Sequence, residues 1–304
     1  VPDTLTADSS ERYTMSIRLQ SGGLSLSGHC DSADGSFFYR EVLFGRNQSY
    51  LSALKECFFN NEFLGWRYKR LHVTSTTNQY QLYPASLVPP AAERIAASMR
   101  RAFTEFDATC LSQALPDEQT VVLFGIDKEV HDFCLRSLQQ PIFTHYLADL
   151  LAYYRRRSQT EPYKNMYVWV DGDRMNVICY VCDRLQYAND FLATQLSDRL
   201  YNLCSVWRCV GFDPERDALR IYAEPSLRAS FLEEARRYFR NAQGLTLPSE
   251  LFLMGDEVMQ APLDQIALLL CESEVEFMGV VVLMSPLRLV LVRRPTLRRR
   301  ISLM

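Results

Sequence analysis

The first regular feature of the sequence is an alternation of apolar and polar residues through residues 13–29. Met15, Ile17 and Leu19 share one face of an extended strand, and the stretch after the next turn alternates in the same way. The turn itself is the Ser-Gly-Gly stretch at 21–23. Two alternating runs joined by a glycine-bearing turn are typical of a β-hairpin, so we predict a hairpin here.

Apolar spacing and turn residues predict the further elements of the first part of the chain. Leu51, Leu54 and Phe58 recur at helical spacing, and this period indicates a helix that buries one face. In chain order we predict a strand over 36–44, a helix over 49–59, two strands within 67–83, a helix over 91–106, a strand over 120–126, and helices over 127–139 and 144–157.

A similar order of elements begins again near residue 164. The apolar stretch before Asp171 and the alternating stretch after Asp173 flank an Asp-Gly-Asp turn, which indicates a second hairpin. In chain order we predict strands over 164–170, 174–182 and 184–191, a helix over 193–208, a strand over 218–223, a helix over 227–241, a strand over 250–254 and a helix over 263–270.

Each part thus begins with a hairpin, a third strand and a helix, and continues with strands that alternate with helices. This is the layout of an RNase H-like domain, and two copies side by side make an actin-like fold. We therefore predict an α/β protein of two RNase H-like subdomains in an actin-like ATPase arrangement, with mixed sheets flanked by helices. The predicted units are residues 13–158, residues 159–272 and a basic, apolar tail over 273–304.

The arginines of that tail change the picture given by the average charge. Residues 277–304 contain six arginines and no acidic residue, so the chain's formal charge of −3 is the sum of +6 in this segment and −9 in the remainder. A basic, apolar segment can contact nucleic acid or an anionic membrane surface. Pro286 and Pro295 interrupt any long helix, so an additional hairpin or an irregular chain end is the alternative.

The cysteines and the first residues bear on the compartment. The chain has nine cysteines, an odd number, and residues 1–12 lack the apolar core of a secretory signal. Scattered thiols without such a signal predict a cytoplasmic protein. Cys179 and Cys182 have a CxxC spacing, but three residues along a strand they point to opposite faces, so we expect neither a metal site nor a redox pair.

Three stretches of the sequence also carry a family resemblance. SIRLQSGGLSLSG in the first hairpin, YKRLHVTSTTNQYQLYPASLVP, and the later YVWVDGDRMNVICY resemble a Bacteroidetes family of unknown function. That family is similar, at a distance, to the actin-like ATPases of pilus assembly and cell division. The resemblance covers roughly residues 13–272, and it implies an actin-like fold with nucleotide between the two subdomains.

The resemblance implies two hairpin turns that bind phosphate and a later glycine turn that approaches adenosine. The backbone amides of such turns cradle phosphate oxygens, and an aspartate can hold hydrated Mg²⁺. This sequence departs from the pattern: the first turn has no carboxylate, the second is followed by an arginine and a methionine, and the third has a single glycine. The hypothetical nucleotide-binding residues are Gly22, Gly23, Asp171, Gly172, Asp173 and Gly255.

The incomplete motifs favour a protein without catalytic residues or a metal site. Our leading hypothesis is therefore a non-catalytic scaffold or assembly factor that acts through an unidentified protein partner and needs no cofactor. The first alternative is an ATP-binding protein that holds Mg²⁺–ATP in the cleft between the subdomains. The second is an accessory protein that contacts RNA or a membrane through its arginine-rich tail.

Overall fold

The computed structural model describes residues 2, 4–30, 36–88, 92–103, 106–117, 119–161 and 164–277. These residues form thirteen strands and seven α-helices. The strands are β1 (Thr14–Gln20), β2 (Gly23–His29), β3 (Phe38–Leu43), β4 (Arg70–Ser75), β5 (Tyr80–Pro84), β6 (Thr109–Ala114), β7 (Thr120–Ile126), β8 (Ile142–His145), β9 (Asn165–Asp171), β10 (Arg174–Val181), β11 (Arg184–Leu192), β12 (Ala218–Tyr222) and β13 (Asn241–Gly244). The helices are α1 (Tyr50–Asn60), α2 (Ala92–Ala102), α3 (Lys128–Ser137), α4 (Tyr146–Thr160), α5 (Leu196–Cys209), α6 (Pro225–Ala235) and α7 (Leu263–Phe277).

Two five-stranded sheets repeat one topology. The first sheet has the order β3-β2-β1-β4-β8, and the second has the order β11-β10-β9-β12-β13. In each sheet the first three strands in this order pair antiparallel with their neighbours. The last two strands run parallel to the central strand, which is β1 in the first sheet and β9 in the second. Helices α1 and α5 occupy the corresponding connections, as do α3 and α6. This duplicated order agrees with the one that the sequence predicted.

The first half differs from the second by an insertion between β4 and β8. It contains α2 and a three-stranded antiparallel sheet of order β5-β7-β6. The two strands predicted within 67–83 are present as β4 and β5, and they belong to different sheets.

The sequence analysis also missed three short strands, β6, β8 and β13, which lack a sustained apolar alternation. The strand predicted over 250–254 is wrong, since Ser249–Met254 is a 3-10 turn that ends at Gly255 with a φ of 111°.

Helices α4 and α7 lie between the two sheets. Tyr154 of α4 stacks on Tyr167 of the second sheet with ring centroids 4.4 Å apart, and Asp264 of α7 accepts a hydrogen bond from Arg18 of the first sheet. Helix α7 follows the second sheet in sequence, yet Arg18 of β1 contacts its first turn. The last helix therefore packs back against the first half. The unit boundaries at 158 and 272 stay a prediction.

The tail falls largely beyond the described part of the chain. Residues 278–304 lie outside the described residues, so the RNA and membrane hypotheses for this segment stay predictions. Among the helices that the structure describes, none is both long enough and apolar enough to cross a membrane.

Gly23 begins β2 at a point where the third strand passes very close. A Cβ atom on Gly23 would lie 2.1 Å from the carbonyl oxygen of Val42 in β3, whereas one on Gly22 would meet no atom within 4 Å. The backbone approach, rather than a special φ angle, therefore requires glycine at position 23.

We predict that Gly23→Ala lowers the free energy of unfolding by about 1–3 kcal/mol, because β3 must move to relieve the overlap. Urea denaturation of Gly23→Ala beside Gly22→Ala tests this. Gly22→Ala adds the same methyl group to the same turn in open space, so it should change stability little. Equal losses in the two variants would show that the close approach to Val42 is not the constraint.

His145 joins three elements of the first half. It ends β8, and its side chain caps α4, with Nδ1 accepting a hydrogen bond from the Leu147 amide at 3.4 Å. Its Nε2–H donates to the carbonyl oxygen of Thr77 at 3.0 Å, and its ring lies 4.9 Å from that of Tyr80. Complete burial lowers the pKa of His145 from 6.5 to about 3, so the ring is neutral in the folded protein.

This burial predicts a pH dependence of stability. The unfolded chain binds a proton at His145 near pH 6.5, whereas the folded chain does so only near pH 3. The contribution of neutral His145 to the free energy of unfolding is therefore complete above pH 6.5 and is lost as the pH falls towards 3. Between pH 7 and pH 5 this loss is about 2 kcal/mol. Chemical denaturation at both pH values should give wild type this extra loss relative to His145→Gln. Parallel losses in the two proteins would contradict the assignment.

Candidate functional site

A cavity of about 810 Å³ opens at one edge of the first sheet. Strands β1, β4 and β7 end at it, and helices α1 and α3 begin at it. Apart from Asp171 and Arg174, all its lining residues come from the first half. The carboxyl ends of strands are where α/β proteins commonly bind ligands, so this cavity is the candidate site.

Two helix caps fix one wall of the cavity. The Ser49 hydroxyl accepts a hydrogen bond from the Ser52 amide at the start of α1. The Asp127 carboxylate accepts one from the Val130 amide at the start of α3. These caps satisfy amides that a helix otherwise leaves without an intrahelical acceptor. The cap carboxylate is therefore already engaged with its own helix.

Arg18 lies at the inner end of the cavity and connects three parts of the fold. Its side chain is only 6% exposed, and its Nε donates to Asp264 Oδ2 of α7 at 2.7 Å. Its Nη1 donates to Gln20 Oε1 at 2.7 Å, and its Nη2 lies 3.7 Å from Asp171 Oδ2 of the second half. One guanidinium thus spans the first sheet, the last helix and the second hairpin turn.

The surroundings of Arg18 determine the charges at this point. Burial acts to lower the pKa of Arg18, but the carboxylates of Asp264 and Asp171 outweigh it, and the pKa is raised above its ordinary value. Complete burial raises the pKa of Asp264, and the ion pair with Arg18 opposes that rise. Removing either group from this buried pair would leave the other uncompensated.

Arg174 makes the second connection between the halves. Its Nη1 donates to the carbonyl oxygen of Thr76 at 3.0 Å, and its Nε lies 3.6 Å from Asp190 Oδ2. Asp190 also accepts a hydrogen bond from the Tyr80 hydroxyl at 2.7 Å. Side chains therefore fill the contact between the first half and the second hairpin, and the cavity opens beside this contact.

The charged groups that line the cavity are mainly acidic. They are Asp107, Asp127, Glu129 and Asp171 against Arg18 and Arg174. Both arginines are already paired with carboxylates. Both arginines that line the cavity are therefore already engaged. Four negative charges oppose the entry of a polyanion into the cavity.

Of the predicted second turn, only Asp171 lines the cavity. Gly172 has a φ of 58°, which glycine adopts without strain, and its carbonyl oxygen accepts a hydrogen bond from Arg199 Nη2 at 2.8 Å. Arg199 Nε also donates to the carbonyl oxygen of Ala193. Asp173 is exposed and does not line the cavity. Arg199 therefore holds this turn from behind.

The predicted residues of the first turn and the third turn lie elsewhere. Gln20 and Ser21 line the cavity, but Gly22 and Gly23 do not, and the close approach of β3 explains Gly23. Gly255 separates two 3-10 turns. Glu257, which follows it, accepts a hydrogen bond from the Tyr39 amide at 2.9 Å. This third turn therefore packs at β3 and does not line the cavity.

Sequence reasoning missed both arginines of the site. Arg18 is one of several polar residues that alternate along β1, and nothing local marks it as buried. Arg174 was noted only as a departure from the expected small residue. Cys179 is buried in β10, whereas Cys182 is exposed in the turn that follows the strand, not within the strand as the sequence indicated. The expectation of no metal site or redox pair at these cysteines stays a prediction.

Solved structures with a similar fold include a Bacteroides thetaiotaomicron protein described as having an actin-like ATPase fold and unknown function. It is 25% identical, the match covers 88% of this chain and 99% of that one, and the TM-score is 0.73. The PilM-PilN type IV pilus biogenesis complex matches with 11% identity over 86% and 98% of the two chains and a TM-score of 0.51. The latter shows the fold alone, and together they confirm the actin-like fold.

Comparison with curated proteins gives no match. The family model described as "Protein of unknown function (DUF3822)" matches residues 2–242. This match covers well over half of the chain and agrees with the resemblance found in the sequence. The chain therefore belongs to the DUF3822 family and has the actin-like fold.

Proposed function

We propose that this protein is a non-catalytic assembly protein that uses the actin-like fold as a scaffold for protein contacts. In this proposal, direct side-chain bonds between the two halves do the work that a bound nucleotide does in an actin-like ATPase. The observation that carries it is the ion pair of Arg18 with Asp171, at 3.7 Å, between the two hairpin turns.

The position of the cavity supports the proposal. Between the halves, Arg174 donates a hydrogen bond to the carbonyl oxygen of Thr76, and the Tyr80 hydroxyl donates one to Asp190. The cavity lies almost wholly within the first half, and Gly255, the candidate for the adenosine turn, does not line it. Acidic side chains dominate its charged lining. A triphosphate would therefore meet repulsion at one end and find no adenosine turn at the other.

A scaffold also requires apolar surface away from the cleft. Helices α5 and α6 border a groove of about 500 Å³ that is lined by Leu196, Leu200, Tyr201, Cys204 and Tyr238 among others. Tyr201 is 73% exposed and Tyr238 is 54% exposed. Exposed apolar surface of this kind often marks a site of protein contact.

ATP binding is the second candidate function, and one observation favours it. Gln20 and Ser21 of the first turn and Asp171 of the second line the same cavity, whose volume of about 810 Å³ is sufficient for a nucleotide. In this alternative, Asp171 would hold hydrated Mg²⁺ and the first turn would face phosphate. The cofactor would be Mg²⁺–ATP, and Arg18 would have to leave Asp171.

We predict that millimolar Mg²⁺–ATP leaves the thermal unfolding temperature unchanged, because the arginines of the cavity are already paired and its acidic side chains repel a polyanion. A ligand at 100 times its Kd would instead stabilise the folded protein by about 2.7 kcal/mol. Differential scanning fluorimetry of wild type and Asp171→Asn, with ATP and with Mg²⁺ alone, tests this directly.

The control variant is Asp183→Asn. Asp183 is a half-exposed aspartate at the other end of β10, 3.5 Å from Arg155 and outside the cavity. A shift with ATP that persists in Asp183→Asn and disappears in Asp171→Asn would overturn the scaffold proposal in favour of ATP binding. The absence of a shift in all three proteins would support the scaffold.

A further inference from the structure

The contact between α7 and the first sheet is unusually polar for a buried interface. Ser16 of β1 faces α7 across a small cavity that Gln265 and Leu268 also line. Within the described part of the chain, seven buried side-chain atoms of β1, β4, α7 and the adjoining helix α4 have no hydrogen-bond partner among the protein groups. They are Ser16 Oγ, His72 Nδ1, Asp149 Oδ2, Asp264 Oδ1, Gln265 Nε2, Gln265 Oε1 and Glu272 Oε2.

Such atoms weaken the docking of α7. A buried polar group without a partner loses its hydrogen bonds to water and gains none in return. Water that enters as the helix separates from the sheet would satisfy all seven atoms. The cost of separation is therefore lower here than in the apolar cluster of the second half, where α5 and α6 cover β9 and β12 with Leu203 and Phe231.

Side chains of the first sheet hold both ends of α7 against this tendency. Asp264, in its first turn, is bonded to Arg18 of β1 at 2.7 Å. Glu272 is hydrogen-bonded to His72 Nε2 of β4 at 2.7 Å and lies 3.4 Å from Arg70 Nη1. Asp149 of α4 is buried beside them, and its pKa is raised well above the ordinary value by burial and then by the charges of Asp264 and Glu272. Asp264 therefore depends on the positive charge that Arg18 of β1 supplies, while His72 and Arg70 of β4 are the partners of Glu272.

Among the charged side chains just described, Arg18 is also the one that a ligand in the cavity can reach. It lines the cavity, and its Nη1 and Nη2 point to Gln20 and Asp171 while its Nε holds Asp264. A new acceptor on the cavity side would compete with Asp264 for a single fixed charge. Loss of that charge would leave Asp264 buried and unpaired, with one oxygen already lacking a partner.

We propose that α7 is a displaceable helix and that Arg18 is the latch that holds it, operated from the cavity. The trigger is a single carboxylate of a protein partner, which meets less repulsion from the acidic lining of the cavity than a polyanion does. When this carboxylate engages Arg18 from the cavity side, α7 separates from the first sheet while both five-stranded sheets stay folded. The cavity and the last helix are thus coupled sites, and each affects the other through Arg18. This inference does not depend on the proposed scaffold function.

Hydrogen exchange measured by mass spectrometry on the full chain tests the latch. In Arg18→Gln the amides of residues 263–277 should exchange at least about tenfold faster than in wild type, because an unpaired buried carboxylate favours local opening. Amides of β9 and β12 should keep their wild-type rates. Arg240→Gln is the matched control, since Arg240 pairs with Glu215 at 3.1 Å on the surface of the second half.

A second variant operates the latch from the cavity. Gln20→Glu replaces the acceptor of Arg18 Nη1 by an isosteric carboxylate, which stands in for an anionic group of a partner. We expect exchange in α7 to rise at least about fivefold, because the new charge competes with Asp264 and repels it. Gln79→Glu adds the same charge to the same cavity. The side chains bonded to or paired with Arg18 in the described part of the chain are those of Gln20, Asp171 and Asp264, so Gln79→Glu should leave α7 unchanged.

A third variant keeps the proposal testable if Arg18→Gln does not fold. Arg18→Met with Asp264→Leu replaces the buried ion pair by apolar side chains of similar size, a change that proteins often tolerate. In this background α7 should exchange slowly, and adding Gln20→Glu should have no effect. The proposal is overturned if Arg18→Gln behaves as Arg240→Gln does, if Gln20→Glu behaves as Gln79→Glu does, or if the apolar pair still responds to Gln20→Glu.

Discussion

A guanidinium that keeps its charge and is almost entirely buried has to be surrounded by carboxylates, and Arg18 imposes this constraint on the centre of the molecule. Its carboxylate partners come from the last helix, through Asp264, and from the second hairpin turn, through Asp171. The cost of burying one such charge is larger than the gain from any single hydrogen bond. The packing of the last helix against the first sheet and the contact between the halves therefore both depend on pairing the charge of Arg18.

Most of the fold follows from local patterns, and local patterns predicted it. Alternation along β1 and β2 and the glycine turns depend only on neighbouring residues, so two hairpins and the duplicated order were evident from the sequence. The short strand β13 has the sequence NAQG and no apolar period, so only its parallel pairing with β12 makes it a strand. Conversely, residues 250–254 are apolar enough for a strand but lie between Pro248 and a left-handed Gly255, and form a 3-10 turn.

The site was predictable only where its residues are marked by a turn. Asp171 adjoins a glycine turn, so the sequence identified it as a candidate, and it does line the cavity. Arg18 has no such mark, because its burial depends on Asp264, which lies 246 residues later in the chain. Gly23 and Gly172 fitted a phosphate-binding pattern, but strand packing and a left-handed turn account for both. Glycine thus signals backbone geometry first, and a ligand only when side chains at the same place agree.

The two copies of the repeated topology also differ at their central strands, where β1 and β9 meet the helices between the sheets. Strands β1 and β9 both have seven residues, and by position Arg18 corresponds to Trp169 and Gln20 to Asp171. Around β9, the face towards α4 is aromatic, with Tyr167 stacked on Tyr154 at 4.4 Å, while the same face of β1 is polar and depends on ion pairs with α7. An aromatic layer is insensitive to ions, whereas a charged layer responds to any new charge that reaches it. The first half is therefore the half in which binding at the cavity can alter the packing of a helix.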